Sequence, residues 1–162
     1  MVALVVVWNQ PFYPLYVYWS VGPAIAPTFL TFLSTPFFLA VPWLSRVNGL
    51  AGRVMLPVVG IVNTMLSAKA FGVESGVEIF LIPCALIAMV FFRPSERLVA
   101  FGLAGLALLV FVGFRGAYGE PIHTYTSVEY AGFLKLNAVS AGALTAFVGL
   151  LVANLVARGA DR

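Results

Sequence analysis

Two short segments pair a hydroxyl with a carboxylate three residues later: Ser75-Gly76-Val77-Glu78 and Thr126-Ser127-Val128-Glu129. At the start of a helix this spacing closes a capping box, in which hydroxyl and carboxylate each accept a hydrogen bond from an otherwise orphaned backbone N–H. Capping is therefore the expected main role of Glu78 and Glu129. The same carboxylates have a second use, as the rim of a cup. Lys69, Glu74, His123, Tyr125, Tyr130 and Lys135 fall at a similar depth along their segments. An ionisable group inside an apolar segment is by default a functional-site candidate. Lys135, about two turns into its helix, either snorkels outward or pairs with a carboxylate.

Other polar residues sit deeper. Asn63, Thr64 and Ser67 share one apolar stretch, and Asn137 and Ser140 share another. Interhelical hydrogen bonding is the favoured use, at about 1 kcal/mol or less per contact. The alternative is a lining for the polar head of a lipophilic ligand. Glu120, His123 and Glu129 have metal-ligand chemistry, but one imidazole in a loop argues against a metal centre, and none is expected. His123 reads as a solvated loop residue that would give an external pH response if it titrates near neutrality. Pro83 leaves a backbone carbonyl unpaired, and Cys84 beside it reads as a small buried hydrophobe.

Composition narrows the field further. Of 162 residues, 62% are apolar and 9% charged, against roughly 45–50% and about 25% in an ordinary globular chain. So few charges cannot cover a water-soluble fold of this size, and the chain reads as an all-α integral membrane protein. One His and one Cys exclude a bis-His haem, a Cys-ligated iron–sulfur cluster, a Cys/His zinc site and an intrachain disulfide. Asp161 is the only aspartate, which removes Asp-based catalysis from the fold. No Walker loop, nucleophile elbow, HExxH or dinucleotide fingerprint occurs, and no cofactor is expected. The net charge of +3 is dispersed, so it points to topology rather than to nucleic acid.

The elements that position these residues are helices of about 20 mainly apolar residues, which satisfy their own backbone hydrogen bonds in lipid. Six stretches qualify, at about 2–19, 21–44, 54–71, 76–92, 98–114 and 127–158, forming one domain over 1–162. The first holds Asn9 and Gln10 near mid-membrane, and Pro11 and Pro14 must kink it. A signal peptide is its rival reading, but there is no basic n-region and no small-residue cleavage site. With six spans, Arg46, Arg53, Arg93, Arg97, Arg158 and Arg162 share one side, and Lys69, Arg115 and Lys135 share the other with four glutamates. Six basic residues against three place both termini in the cytoplasm. Trp43 then lies at the inner interface, and Tyr16, Tyr18 and Trp19 at the outer.

The sixth stretch carries Ala138, Gly142, Ala146, Gly149, Ala153 and Ala157 at steps of three or four residues. They form one small-residue stripe, which lets helix backbones approach closely, within a bundle or across a dimer.

A family resemblance rests on the run from Asn63-Thr64 to Phe80-Leu81-Ile82-Pro83 with Gly72 to Glu78 inside it. Phe92-Arg93, the segment Tyr125 to Tyr130 and Leu136-Asn137 add to it. Over roughly 50–157 the chain resembles a six-helix membrane sensor module that precedes class III adenylate cyclase or histidine kinase domains in bacteria. It is similar to the membrane region of CqsS-type quorum-sensing receptors, which detect lipophilic α-hydroxyketones. Members carry a cytoplasmic catalytic domain after the last helix. The resemblance therefore implies an effector beyond Arg162 or in a partner protein, with any cyclase activity outside these residues.

The combined expectation is a non-catalytic receptor or regulatory module of the bacterial inner membrane, multi-pass, N-in and C-in, homodimeric, binding a small lipophilic ligand. Asn63, Lys69, Glu78, His123, Tyr125, Glu129, Tyr130 and Asn137 are its candidate ligand residues, and the sixth helix carries the signal to a cytoplasmic effector. The rival is a small integral subunit that scaffolds or anchors a larger membrane complex. A transporter is disfavoured, because inverted repeats and paired broken helices are not evident.

Overall fold

The computed structural model describes residues 1–160. Asp161 and Arg162, which enter the charge asymmetry, lie outside the described residues. The described residues hold seven α-helices joined by 3₁₀ segments, with no strand. The helices are α1 (Val2–Asn9), α2 (Tyr13–Ser20), α3 (Thr35–Val47), α4 (Gly49–Phe71), α5 (Leu81–Val90), α6 (Arg97–Gly113) and α7 (Ser127–Ala160).

Four helical runs are long and apolar enough to cross a bilayer: Ala26–Val47, Gly49–Phe71, Pro94–Gly113 and Ser127–Gly159. Val77–Val90 is apolar but shorter. The first expected span is broken where its prolines stand, with a 3₁₀ turn over Gln10–Phe12 between α1 and α2. The second departs from expectation. It is not helical from Val21; a 3₁₀ helix runs over Ala26–Ser34 before α3 begins.

A ladder of hydroxyls runs along this helix at the 3₁₀ period of three. Thr28 Oγ1 donates to Ile25 O at 2.5 Å, Thr31 Oγ1 to Thr28 O at 2.7 Å, and Ser34 Oγ to Thr31 O at 2.7 Å. All three side chains are buried. Gln10 docks on this ladder from the broken first helix. Its Nε2 donates to Thr31 O at 3.1 Å and Ser34 Oγ at 2.8 Å, and its Oε1 accepts from Thr35 Oγ1 at 2.7 Å. A buried amide costs little only when its hydrogen bonds are made, and here three are.

The third span begins five residues earlier than the sequence suggested, at Gly49 rather than about 54. Asn48 Oδ1 caps it, accepting from the Leu50 and Ala51 amides at 3.1 and 3.0 Å. The resulting α4 packs against α3, α5, α6 and the 3₁₀ segments Ala26–Ser34, Val73–Ser75 and Val77–Phe80, so it is the hub of the bundle. The fourth span is part 3₁₀ (Val77–Phe80) and part α5. At the glutamate-bearing end, Val17, Ala70, Phe71, Tyr125 and Phe133 form one buried cluster. The Phe71 and Phe133 rings stack at 5.2 Å. Gly132 lets α7 close onto α2, since a β-carbon there would collide with the Ser20 carbonyl oxygen.

Candidate ligand cavity and polar rim

Residues of α1, the Gln10 turn, α2, α3, α4, α5 and α7, with Thr31 of the 3₁₀ helix, line a cavity of about 450 Å³ that is open on the side of Trp8. That volume lies in the range of small-molecule sites, which are mostly apolar with a few placed polar groups. Val6, Phe38, Leu56, Ile87 and Phe147 supply apolar wall. Most of the polar groups along it are already engaged. Thr64 Oγ1 donates to Gly60 O at 2.9 Å, and Ser67 Oγ to Asn63 O at 2.8 Å. The Tyr13 hydroxyl donates to Asn137 Oδ1 at 3.1 Å. Asn63 differs: its Oδ1 is buried and accepts no hydrogen bond.

Asn137 stands behind the cavity wall and is fully buried. It accepts from Tyr13 and donates through Nδ2 to Ser75 O at 2.9 Å, tying α2, the Ser75 turn and α7 together. Its side chain is thus occupied by interhelical bonding.

The rim divides into three groups. In the first, Tyr125 is buried and donates its hydroxyl to Ala24 O at 2.9 Å. Its ring meets Phe133 at 4.8 Å, Tyr130 at 5.8 Å and His123 at 4.6 Å. Burial first, then the charge of Glu129 and the Tyr130 phenol, pushes the Tyr125 phenol up to about 12, so it stays a donor. Glu129 closes the expected box. Its Oε2 accepts from Thr126 N and Thr126 Oγ1, both at 2.8 Å, and Thr126 Oγ1 accepts from Glu129 N at 3.3 Å.

In the second group Lys69 anchors a loop. Its Nζ donates to Glu120 O at 2.6 Å, and its carbonyl accepts from Ile122 N at 3.1 Å. Glu74 and Lys135 are exposed. Among the described residues no three His, Cys, Asp or Glu side chains come together as a metal-holding group.

The third group corrects the other capping box. Gly76, at φ 69°, separates Ser75 from the helix start, and the Ser75 hydroxyl turns back to Gly72 O at 2.6 Å. Glu78 therefore caps nothing. It is 3% exposed; Arg115 Nε lies 3.7 Å from its Oε2, and its Oε1 has no partner. The buried Tyr118 hydroxyl is also unpartnered, and burial together with the Glu78 charge raises that phenol. Arg115 and Tyr118 lie in the loop before α7 and were not singled out from sequence, where nothing marks them as partners of Glu78. Gln10 stood out only as a misfit in an apolar stretch, and Tyr13 not at all.

All six residues of the small stripe, Ala138, Gly142, Ala146, Gly149, Ala153 and Ala157, are exposed. A β-carbon at Gly142 or Gly149 would meet nothing within 4 Å. The stripe faces away from this bundle, which removes the intramolecular packing role and leaves lipid or another protein.

Helices long and apolar enough to cross a membrane, with a cavity among them, are the frame that a membrane-embedded domain requires. The model of the MASE7 family matches residues 1–156, and the chain belongs to that family, a membrane-associated sensor domain family found in cyclases and kinases. The match also takes in the residues before 50, outside the stretch over which the resemblance was read from sequence. No curated protein and no solved structure matches the chain.

Proposed function

We propose that this domain senses a small, mainly apolar ligand in the 450 Å³ cavity and passes the signal through α7 to a cytoplasmic cyclase or kinase effector. The observation that carries this reading is the buried, unpartnered Asn63 Oδ1 on a mainly apolar wall. A ligand that donates one hydrogen bond would complete it. Asn137 acts through Tyr13 as a positioning residue. Tyr125, Tyr130, Glu129 and His123 hold the outer end, Lys69 holds its loop, and Glu78 with Arg115 adds a second outward polar site.

In this reading the chain crosses a bacterial inner membrane six times, with both termini cytoplasmic. Met1, Arg53, Phe91 and Arg158 border one cavity, an arrangement that supports an even number of crossings. The 34 residues of α7 rise about 51 Å, well beyond a hydrocarbon core of about 30 Å, so the helix reaches an effector. Its exposed small stripe serves a homodimer.

Melting of the full chain in nanodiscs with a series of n-alkanols tests the cavity. Stabilisation should rise to a best chain length and then fall, and Ala143→Phe should move the optimum to a shorter alkanol. Asn63→Leu should remove the advantage of an alkanol over the matching alkane. A monotonic rise shared by all variants would reduce the effect to partitioning and overturn the reading. Topology is tested with Cys84 replaced and single cysteines at Ser95 or Gly116: a membrane-impermeant thiol reagent should label the second alone.

A further inference from the structure

At the arginine-bearing end the bundle leaves a second and larger cavity, about 630 Å³. It is lined by residues of α1, α3, α4 and the last turns of α7. Val2, Val41, Leu56 and Leu151 supply apolar wall, and Arg53 on α4 and Arg158 on α7 both border it. Arg53 is only half used. Its Nη2 donates to Glu96 Oε1 at 2.5 Å, while its Nε is buried with no acceptor. Arg158 is exposed.

An apolar shaft with a basic mouth and a missing acceptor has the chemistry of one ligand class. The geometry points to a binding site for an anionic phospholipid, its phosphate between Arg53 and Arg158 and an acyl chain along the apolar wall. A phosphate oxygen supplies the acceptor that Arg53 Nε lacks, and guanidinium–phosphate hydrogen bonds are charge-assisted. A free phosphate would leave the apolar wall unfilled. The inference rests on the membrane orientation proposed above, which puts this end at the anionic inner leaflet, and not on the ligand cavity. Its consequence is regulatory: the lipid bridges α4 to α7 and sets the distance at which the output end of α7 stands from the bundle.

The test uses the full chain in phosphatidylcholine nanodiscs with a rising share of phosphatidylglycerol, read by melting temperature and by native mass spectrometry of retained lipid. Saturable stabilisation and one retained phosphatidylglycerol per chain are expected. Arg158→Gln should weaken half-saturation about fivefold, the worth of one arginine near an anionic surface. Arg53→Gln should do the same but also breaks the Glu96 pair, so the exposed Arg158 carries the decision. Leu155→Trp, placed on the cavity lining, should abolish retention. Four results would overturn the site: equal response to both lipids, an Arg158→Gln variant that behaves as wild type, full competition by inorganic phosphate, or Leu155→Cys crosslinks between two copies that persist unchanged as phosphatidylglycerol rises. Failure of the ligand cavity would show in the alkanol series with this response intact. Failure of the lipid site would show the reverse.

Discussion

In its first half α7 buries Phe133, Asn137 and Ala141, whereas from Gly149 to Gly159 every residue except Leu151 and Val152 is exposed. Of charged and amide side chains, the first half carries Glu129, Lys135 and Asn137 and the second only Asn154 and Arg158, so the more apolar half is the less buried one and hydropathy does not account for the packing. In lipid an apolar side chain gains little by leaving the hydrocarbon, and helices are held by close packing and hydrogen bonds. The first half has both, in the Phe71–Phe133 stack and the Asn137 bridge. The second half has a cavity beside it. The proposed function makes use of that inequality, with one end of the helix fixed and the other able to shift.

The largest test of the contrast is a matched pair of truncations. Phe133→Ala should cost about 3–5 kcal/mol, and Leu155→Ala, at 60% exposure, less than about 0.5 kcal/mol. Both are read by reversible unfolding of the full chain in detergent. Equal losses would break the comparison. Next, Asn137→Leu strands the Tyr13 hydroxyl and the Ser75 carbonyl, and should cost about 1–3 kcal/mol. Adding Tyr13→Phe should then recover part of the loss. Thr126→Ala removes the cap at the fixed end and should cost about 1 kcal/mol, with Glu129→Gln a few tenths, since an amide oxygen still accepts the Thr126 bonds. Smallest in stability is Gly149→Leu, which should leave the melting temperature unchanged because nothing lies within 4 Å of the added carbon. It should lower crosslinked dimer if the stripe is the seam, and unchanged crosslinking would assign the stripe to lipid.

The long helices were legible because lipid demands length and apolarity, and both are written residue by residue. The two Ser/Thr-x-x-Glu segments show where legibility stops. They have the same signature, yet Thr126 and Glu129 close the box on α7, while Ser75 donates back to Gly72 O, accepts only a long bond from Val77 N at 3.4 Å, and has no return bond from Glu78. The difference lies in Gly76: its left-handed backbone inserts a turn between hydroxyl and helix, and the freed Glu78 meets an arginine 37 positions along. A local pattern carries no information about a partner that tertiary packing delivers. The 3₁₀ stretch over Ala26–Ser34 was readable in principle, because Thr28, Thr31 and Ser34 recur at three rather than three and a half residues. Likewise Gln10 counted against its helix only until its three partners from the neighbouring chain segment were in place.

That stretch also sets a dimension. Nine residues wound as 3₁₀ rise about 18 Å, where an α-helix would rise about 13–14 Å. The 22-residue run Ala26–Val47 therefore reaches about 37 Å instead of about 33 Å. The surplus is the size of the thickness differences of a few ångströms between one biological membrane and another. Rewinding the segment to α would shorten the run by that amount, and would move Thr31, Ser34 and Thr35 relative to Gln10, which bonds all three. The length of this run is thus tied to the side-chain contacts of the helical segment beside it.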